Sequence, residues 1–161
     1  DWRDWPYLAG DAAVVASDGY FRILGRIDDV INVSGHRIGT AEVESAIDEH
    51  ESIAECAVVG RPDAIKGEAL LAYLVLNGEV ADEKALHKEV NALIASLIGS
   101  FSKCDTFVTV PGLPKTRSGK VMRRILRAIG KCEEITQDIF TLEDPSIVEA
   151  IKQSVYDDDI C

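Results

Sequence analysis

Hydrophobic residues recur over residues 82–98 with the i, i+4, i+7, i+8 spacing of an amphipathic helix. The residues that form this pattern are Leu86, Val90, Leu93, Ile94, Leu97 and Ile98. Gly99 follows the last of them and supplies a C-terminal stop. A second amphipathic helix is predicted over residues 121–130, with Val121, Ile125, Leu126 and Ile129 on its apolar face.

Shorter runs of β-branched, aromatic or continuous apolar residues predict strands at 20–24, 29–33, 53–59, 69–76 and 106–110. The fourth run alternates only weakly, which is typical of a central strand covered on both faces. A short helix is predicted between the second and third runs, with Thr40 as its N-cap and an end near His50. Because helices and strands are mixed without a regular βαβ repeat, we expect an α+β domain.

The length of 161 residues and the hydrophobic content of 47% indicate a globular protein with one ordinary core. The apolar runs are shorter than the roughly 20 residues that cross a bilayer, so no membrane partner is expected. The start Asp-Trp-Arg-Asp-Trp has neither Met nor a leader, which we interpret as a start inside a longer protein. The cysteines are spread singly, which favours a reducing cytoplasm over a zinc site or a disulfide scaffold.

The net charge of −11 is distributed unevenly. Residues 133–161 carry nine acidic side chains against Lys152, a net charge of −8, which leaves −3 for the rest of the chain. Within that rest lies a basic segment made of Lys115, Arg117, Lys120, Arg123, Arg124, Arg127 and Lys131. The overall acidity argues against a nucleic-acid partner, whereas the basic segment indicates one particular anion.

Two segments concentrate residues suited to binding. The first is the loop Pro-Lys-Thr-Arg-Ser-Gly-Lys at 114–120, which leads into a helix start that suits a phosphate or a carboxylate. It is not a Walker A motif, because Pro114 and Val121 stand where that motif needs glycine and a hydroxyl residue. The second is residues 25–39, where glycines and charges surround one short strand and favour backbone exposure to a ligand. The residues alone leave a solvated basic loop and a simple tight turn as alternatives.

Three motifs together resemble the adenylate-forming acyl-CoA synthetases. The loop at 114–120 with Met122-Arg123-Arg124 is similar to the last signature of that family, and residues 25–39 are similar to its hinge signature. Tyr7-Leu8-Ala9-Gly10-Asp11 resembles the preceding Gly-Asp motif. Residues 33–37, 64–68 and 141–146 resemble the acetyl-CoA synthetases most, with propionyl-CoA synthetases as the nearest alternative.

The resemblance implies the small C-terminal domain of that family, with a short antiparallel hairpin and a mainly antiparallel central sheet flanked by helices. It divides the chain into the trailing end of an N-terminal adenylating domain at 1–27, a mobile C-terminal domain at 28–132 and an acidic tail at 133–161. The implied activity converts acetate, ATP and CoA to acetyl-CoA, AMP and pyrophosphate through an acetyl-adenylate. The implied partner is the remaining N-terminal domain of the same chain, and the fragment alone is expected to be inactive.

The resemblance also implies roles for individual residues. Lys120 is the expected catalytic residue for adenylation, since an ammonium between the acyl carboxylate and the α-phosphate reduces the repulsion of two anions. Asp11 and Arg26 are expected to bind the ribose hydroxyls, and Arg37 the ATP phosphates. Lys120 is also an expected acetylation site, with a lysine acetyltransferase and a deacetylase as partners.

Further implied roles concern CoA, the hinge and a cation. Ser34 and Gly35 are expected to contact CoA, while Ala95 replaces an arginine that some relatives direct toward the CoA nucleotide. Asp28 occupies the hinge position. Mg²⁺ is expected with ATP, and the resemblance implies a magnesium-type cation near His50 with the backbone carbonyls of Asp48 and Ile53 as ligands. A histidine that caps its own helix is the structural alternative.

Two alternatives remain open at this point. A ligase for propionate or another short acid fits the same motifs, because the acyl pocket is expected outside this chain. A module of another class, which binds a nucleotide or a protein without catalysis, would keep the fold and lack an upstream adenylating domain.

Overall fold

A five-stranded sheet forms the centre of the computed structural model, which describes residues 10–136, 138–158 and 160–161. A two-stranded hairpin precedes it, made of β1 (Asp11–Val15) and β2 (Phe21–Arg26). The sheet contains β3 (Val30–Val33), β4 (His36–Gly39), β5 (Ile53–Asp63), β6 (Gly67–Leu76) and β7 (Thr106–Thr109). The helices are α1 (Thr40–Ile47), α2 (Glu83–Leu97), α3 (Arg123–Gly130) and α4 (Ile147–Asp157).

The sheet is mainly antiparallel, as predicted. Its order is β4-β3-β6-β5, and β7 pairs with β6 beside this path. The long β5–β6 ladder runs from the pair Ile53 and Leu76 to the pair Asp63 and Gly67. Only β6 and β7 are parallel among the described strands, and they are joined through α2 because parallel neighbours need a crossover connection.

Strand β6 is buried on both faces, which confirms its predicted central position. Leu70, Ala72 and Leu74 face a first core that includes residues of α1 and α2. Leu71 and Tyr73 face a second core built with α3 and α4, and the Tyr73 hydroxyl donates to the buried Leu126 carbonyl at 2.9 Å. The weak alternation in the sequence therefore reflects two cores, one on each side of the sheet.

The two helices with the clearest periodicity form close to their predicted bounds. Asp82 caps α2, since its side chain accepts a hydrogen bond from the Ala85 N–H at 3.0 Å. Thr40 is not the N-cap of α1. That position belongs to Gly39, which keeps the extended conformation of β4, and Thr40 is the first helical residue with its side chain buried. Within the described part of the chain, no helix is long and apolar enough to cross a membrane.

The acidic segment after Glu133 is part of the folded body. It forms α4, and Leu142, Val148, Ile151 and Val155 are buried in the second core. A disulfide joins Cys132, at the end of α3, to Cys161. Sequence spacing did not indicate this pair, because the fold brings together residues that are 29 positions apart. Burial raises the pKa of the remaining buried thiol, Cys104, to about 12.

His87 should make the fold sensitive to mild acid. Its ring stacks on that of Phe107, with the two ring centroids 4.6 Å apart. Its Nε2 is buried without a hydrogen-bond partner in the described structure. Burial lowers the pKa of His87 below its usual value near 6.5, against the opposing effect of Glu83 and Asp158. The neutral ring therefore contributes stability above that usual pKa, and this contribution is lost as the pH falls through the lowered folded-state value.

We expect the urea midpoint of the wild-type chain to fall between pH 7.5 and pH 5.5 by more than that of His87→Gln. His36→Gln is the matched control, because it removes an exposed ring that stacks on Phe101. An equal fall for wild type and His87→Gln would refute the role of His87.

Candidate functional site

The loop that carries Lys120, residues 114–122, is folded back on itself by hydrogen bonds within the loop. The Thr116 N–H donates to the Lys120 carbonyl at 2.9 Å, and the Lys120 N–H donates to Thr116 Oγ1 at 3.1 Å. Gly119 supports the tight turn with φ at 82°, a conformation that glycine adopts without strain. The turn therefore fixes the backbone of Lys120 just before α3 begins.

The basic segment divides into cations with structural partners and cations without. Lys115 pairs with Glu55 at 2.5 Å, Arg123 pairs with Glu44 at 2.5 Å, and Arg127 pairs with Asp29 at 3.3 Å. Arg124 also has a partner. Lys120 is exposed and, within the described residues, its ammonium has no hydrogen-bond or ion-pair partner. The charge of Lys120 is thus available to an anion, and so is the charge of Arg117.

Glu44 ties α1, β5 and the start of α3 together. Only 8% of Glu44 is exposed, and its Oε1 accepts hydrogen bonds from the Val58 N–H at 2.8 Å and from Arg123 Nε at 3.1 Å. Its Oε2 accepts from Arg123 Nη2. The carboxylate raises the pKa of Arg123 further above its usual value, mainly through these hydrogen bonds. The ion pair therefore anchors α3 three residues after Lys120.

Within the second segment, residues 33–36 form a two-residue hairpin turn between β3 and β4. Ser34 and Gly35 both have positive φ values, 50° and 86°, as a turn with two left-handed residues requires. The Ser34 N–H donates to the Lys66 carbonyl at 2.9 Å, and Val33 pairs with Gly67. Nothing lies within 4 Å of a Cβ built on Gly35, so the turn presents open backbone.

A groove of about 480 Å³ borders this Ser34 turn. Ser34, Asn91 and Phe101 line it together with Lys66 and Lys103. Lys66 forms an ion pair with Asp105, and this hydrogen bond raises the pKa of Lys66 above its usual value. Ala95 follows Asn91 by one helical turn and shares its face of α2. The groove thus offers polar groups, the Lys66–Asp105 ion pair and the cation of Lys103 beside exposed backbone.

The residues expected to bind the nucleotide lie on two hairpins, β1–β2 and β3–β4. Asp11 and Arg26 are opposite each other in the β1–β2 hairpin, with Arg26 Nη1 3.9 Å from Asp11 Oδ1. Arg37 is exposed on β4. Asp28 lies in a turn of 3-10 helix, Ile27–Asp29, between the hairpin and the sheet. Since Asp29 pairs with Arg127, the chain is fastened to α3 immediately after Asp28.

The predicted cation site at Asp48, His50 and Ile53 remains a prediction. The Ser52 N–H donates to His50 Nδ1 at 3.3 Å, and His50 Nε2 lies 3.4 Å from Glu89 Oε2. The His50 carbonyl accepts from the Ile53 N–H. Both ring nitrogens thus have partners, and the described residues contain no cluster of three His, Cys, Asp or Glu side chains suited to a metal.

The Lys120 loop and the Ser34 turn lie at opposite ends of the β5–β6 ladder. The loop contacts Glu55 through Lys115, whereas the turn is fixed beside Gly67, whose partner on β5 is Asp63. Eight residues separate these two positions of β5, which corresponds to about 26 Å at roughly 3.3 Å per residue. The two segments also belong to different cores, because Val33 lies in the first and Val121 packs against the second.

Comparison with known proteins gives a consistent result. Residues 42–120 match the family described as AMP-binding enzyme C-terminal domain. The acetyl-coenzyme A synthetase of Wolinella succinogenes is 60% identical over 151 residues, 91% of this chain and 23% of the relative. The acetyl-coenzyme A synthetase of Helicobacter pylori strain G27 is 54% identical over 156 residues, 94% of this chain and 24% of the relative. The chain thus spans about a quarter of the length of these curated relatives.

Solved structures give the same picture at lower identity. An anthranilate CoA ligase in complex with anthranoyl-AMP superposes with a TM-score of 0.67 and 32% identity, over 77% of this chain and 24% of that chain. A Brucella canis acyl-CoA synthetase superposes with a TM-score of 0.60 and 36% identity, over 74% and 22%. Residues 42–120 therefore form a domain of the AMP-binding enzyme C-terminal domain family, and over most of its length the chain is similar to curated acetyl-coenzyme A synthetases.

Proposed function

We propose that this chain is the C-terminal part of a ligase that converts acetate, ATP and CoA to acetyl-CoA, AMP and pyrophosphate. The observation that carries the proposal is the separation of the Lys120 loop from the Ser34 turn by the length of the β5–β6 ladder. Two half-reactions at one site would use these two ends in succession, because one orientation of the domain cannot present both. The names of the curated relatives support acetate as the acid.

In the first orientation, Lys120 would approach the acetate carboxylate and the α-phosphate of ATP. The partner-free ammonium of Lys120 suits this role, since it would stabilise charge that develops in the transition state. Asp11 would accept hydrogen bonds from the ribose hydroxyls, with Arg26 beside it, and Arg37 would bind phosphate oxygens. ATP would enter with Mg²⁺, which would supply positive charge to neutralise part of the phosphate charge.

In the second orientation, the Ser34 turn would meet CoA. The exposed backbone at Ser34 and Gly35 suits a narrow pantetheine passage. In the adjoining groove Lys103 would attract an anionic nucleotide, whereas Lys66 is already paired with Asp105. Ala95, one helical turn after Asn91, supplies no cation of its own there. Rotation would occur at Asp28, because the Asp29–Arg127 ion pair fastens the next residue to the moving body.

The principal partner would be the N-terminal adenylating domain of the same chain. Residues 1–27 would belong to it, residues 28–132 would form the mobile domain, and the segment 133–161 would be an extension that packs on the mobile domain. The β1–β2 hairpin supports this division, since Val15, Tyr20, Phe21 and Ile23 are between 58% and 77% exposed and suit an apolar neighbour.

We place the parent protein in the cytoplasm, where Cys132 and Cys161 would be held largely as thiols. The exposed Lys120 would then be accessible to a lysine acetyltransferase and a deacetylase. Acetylation would remove the cation and stop the first half-reaction.

The test compares the full-length protein with the 161-residue chain. We expect the full-length protein to form acetyl-CoA with AMP and pyrophosphate as products, and the chain alone to be inactive because it lacks most of the ATP and acyl pocket. A faster reaction with propionate than with acetate would identify the alternative short-chain ligase. A parent protein without ATP-dependent turnover of any short acid would instead support a binding module that lacks catalysis.

A further inference from the structure

The extended segment Leu142–Glu143 runs alongside the Lys120 loop. Thr116 forms an antiparallel bridge with Leu142, and the Glu143 N–H donates to the Lys115 carbonyl at 2.9 Å. On the other side, Lys115 bridges to Val121. Residues 115–116 are therefore the middle of three short extended segments, with Leu142–Glu143 at one edge and the backbone of residues 120–121 at the other.

Leu142–Glu143 is itself held firmly. Leu142 is only 2% exposed and lies in the second core with Leu113 and residues of α4. Immediately after Glu143, Asp144 accepts hydrogen bonds from the Ser146 N–H at 2.9 Å and from Ser146 Oγ at 2.6 Å, just before α4 begins. These hydrogen bonds lower the pKa of Asp144 below its usual value, so its carboxylate stays charged near neutral pH. Leu142–Glu143 is thus anchored by the buried side chain of Leu142 and by the hydrogen bonds of Asp144 at the start of α4.

Thr116 connects the anchored Leu142–Glu143 segment to the backbone of Lys120. Thr116 Oγ1 accepts from the Lys120 N–H, and the Thr116 N–H donates to the Lys120 carbonyl. Because the Lys120 ammonium has no partner among the described residues, no contact of its own fixes the side chain before a ligand binds. The direction in which it leaves the backbone depends on this short stack of segments.

We infer that Leu142–Glu143 is a positioning segment that holds the Lys120 loop in the geometry for adenylation. The inference rests on the proposed role of Lys120. Leu142–Glu143 lies outside residues 42–120, the range that matches the family. A segment beyond the matched domain would therefore contribute to the reaction of the Lys120 loop. A loop that shifts by about 1 Å loses rate because reacting groups must meet within a narrow range of distance and angle.

The experiment uses the full-length protein and compares Glu143→Pro with Glu143→Ala. Both remove an exposed side chain, but only proline removes the N–H that bonds to the Lys115 carbonyl. Leu142 already has φ at −70° and ψ at 148°, the conformation required of a residue that precedes proline. The readouts are acetate-dependent ATP–pyrophosphate exchange, thioester formation from supplied acetyl-adenylate, and hydrogen exchange of peptides that cover residues 115–121.

We expect Glu143→Pro to lower the kcat of ATP–pyrophosphate exchange by about fivefold or more relative to Glu143→Ala, on the scale of one lost hydrogen bond. Thioester formation should be equal in the two variants, and hydrogen exchange should be faster only in Glu143→Pro. Equal ATP–pyrophosphate exchange in both variants, in a protein that Lys120→Ala inactivates, would overturn the positioning role. Full exchange activity in Lys120→Ala would instead overturn the proposed function.

A second pair of variants separates positioning from general stability. Leu142 and Ile151 are isomeric side chains buried in the same core, but Ile151 lies on α4, away from the bridge to Thr116. Leu142→Ala and Ile151→Ala should lower the unfolding midpoint to a similar extent. Only Leu142→Ala should lower the kcat of ATP–pyrophosphate exchange at a temperature where both are folded, and equal kcat values would contradict the inference.

Discussion

Replacing Lys120 by alanine in the full-length protein should lower acetate-dependent ATP–pyrophosphate exchange by about 10²- to 10³-fold. The expected loss is that of a preorganised charge aimed at the transition state, since the exposed ammonium has no other partner within the described structure. Formation of acetyl-CoA from supplied acetyl-adenylate should be unchanged, because the Ser34 turn lies at the other end of the β5–β6 ladder.

The matched control is Arg117→Ala, which removes the neighbouring cation of the same loop. We expect this variant to keep most of its ATP–pyrophosphate exchange activity. Loss of both half-reactions in Lys120→Ala would show that the loop acts in more than adenylation. Retention of both half-reactions would show that Lys120 is a surface residue without a catalytic role.

Replacing Glu44 by alanine should lower the free energy of unfolding by about 3–5 kcal/mol, the range for breaking a buried ion pair on one side. Three hydrogen bonds are lost together, one from Val58 and two from Arg123. The Val58 N–H is left buried without its acceptor, and the guanidinium is left without its carboxylate. Urea unfolding of the 161-residue chain measures the effect.

Glu42→Ala is the control for this substitution. Glu42 is exposed in the first turn of the same helix, so its removal should cost less than about 1 kcal/mol. Glu44→Gln should fall between the two, since the amide oxygen can still accept from Val58 but the charge is gone. Similar losses for Glu44→Ala and Glu42→Ala would mean that solvent compensates the Arg123 charge.

The sequence predicted the elements whose pattern is local. The periodicity of α2 and the continuous apolar run of β6 are properties of neighbouring residues, and the structure confirms both. The loop and turn motifs were likewise visible as short segments. Strand β4 was missed because its four residues, His36–Gly39, alternate too briefly to stand out.

The unpredicted features depend on contacts between distant residues. Glu42 and Glu44 are both acidic residues of the helix predicted after Thr40, and only the approach of α3 makes Glu44 a buried partner of Arg123. Helix α4 has the spacing of an amphipathic helix at Val148, Ile151 and Val155, but its acidic surroundings hid this signal. The bridge between Thr116 and Leu142 spans 26 residues and has no signature in the sequence.

The two cores have a consequence for how this protein can change. Val33 and Ile38, which flank the Ser34 turn, pack on one face of the sheet, while Leu113 and Val121 of the Lys120 region pack on the other. Substitutions in one core touch few residues of the other, so their effects on stability should be nearly additive. Evolution or engineering can therefore adjust the segment proposed to meet CoA and the segment proposed to form the adenylate as two separate modules that share one scaffold.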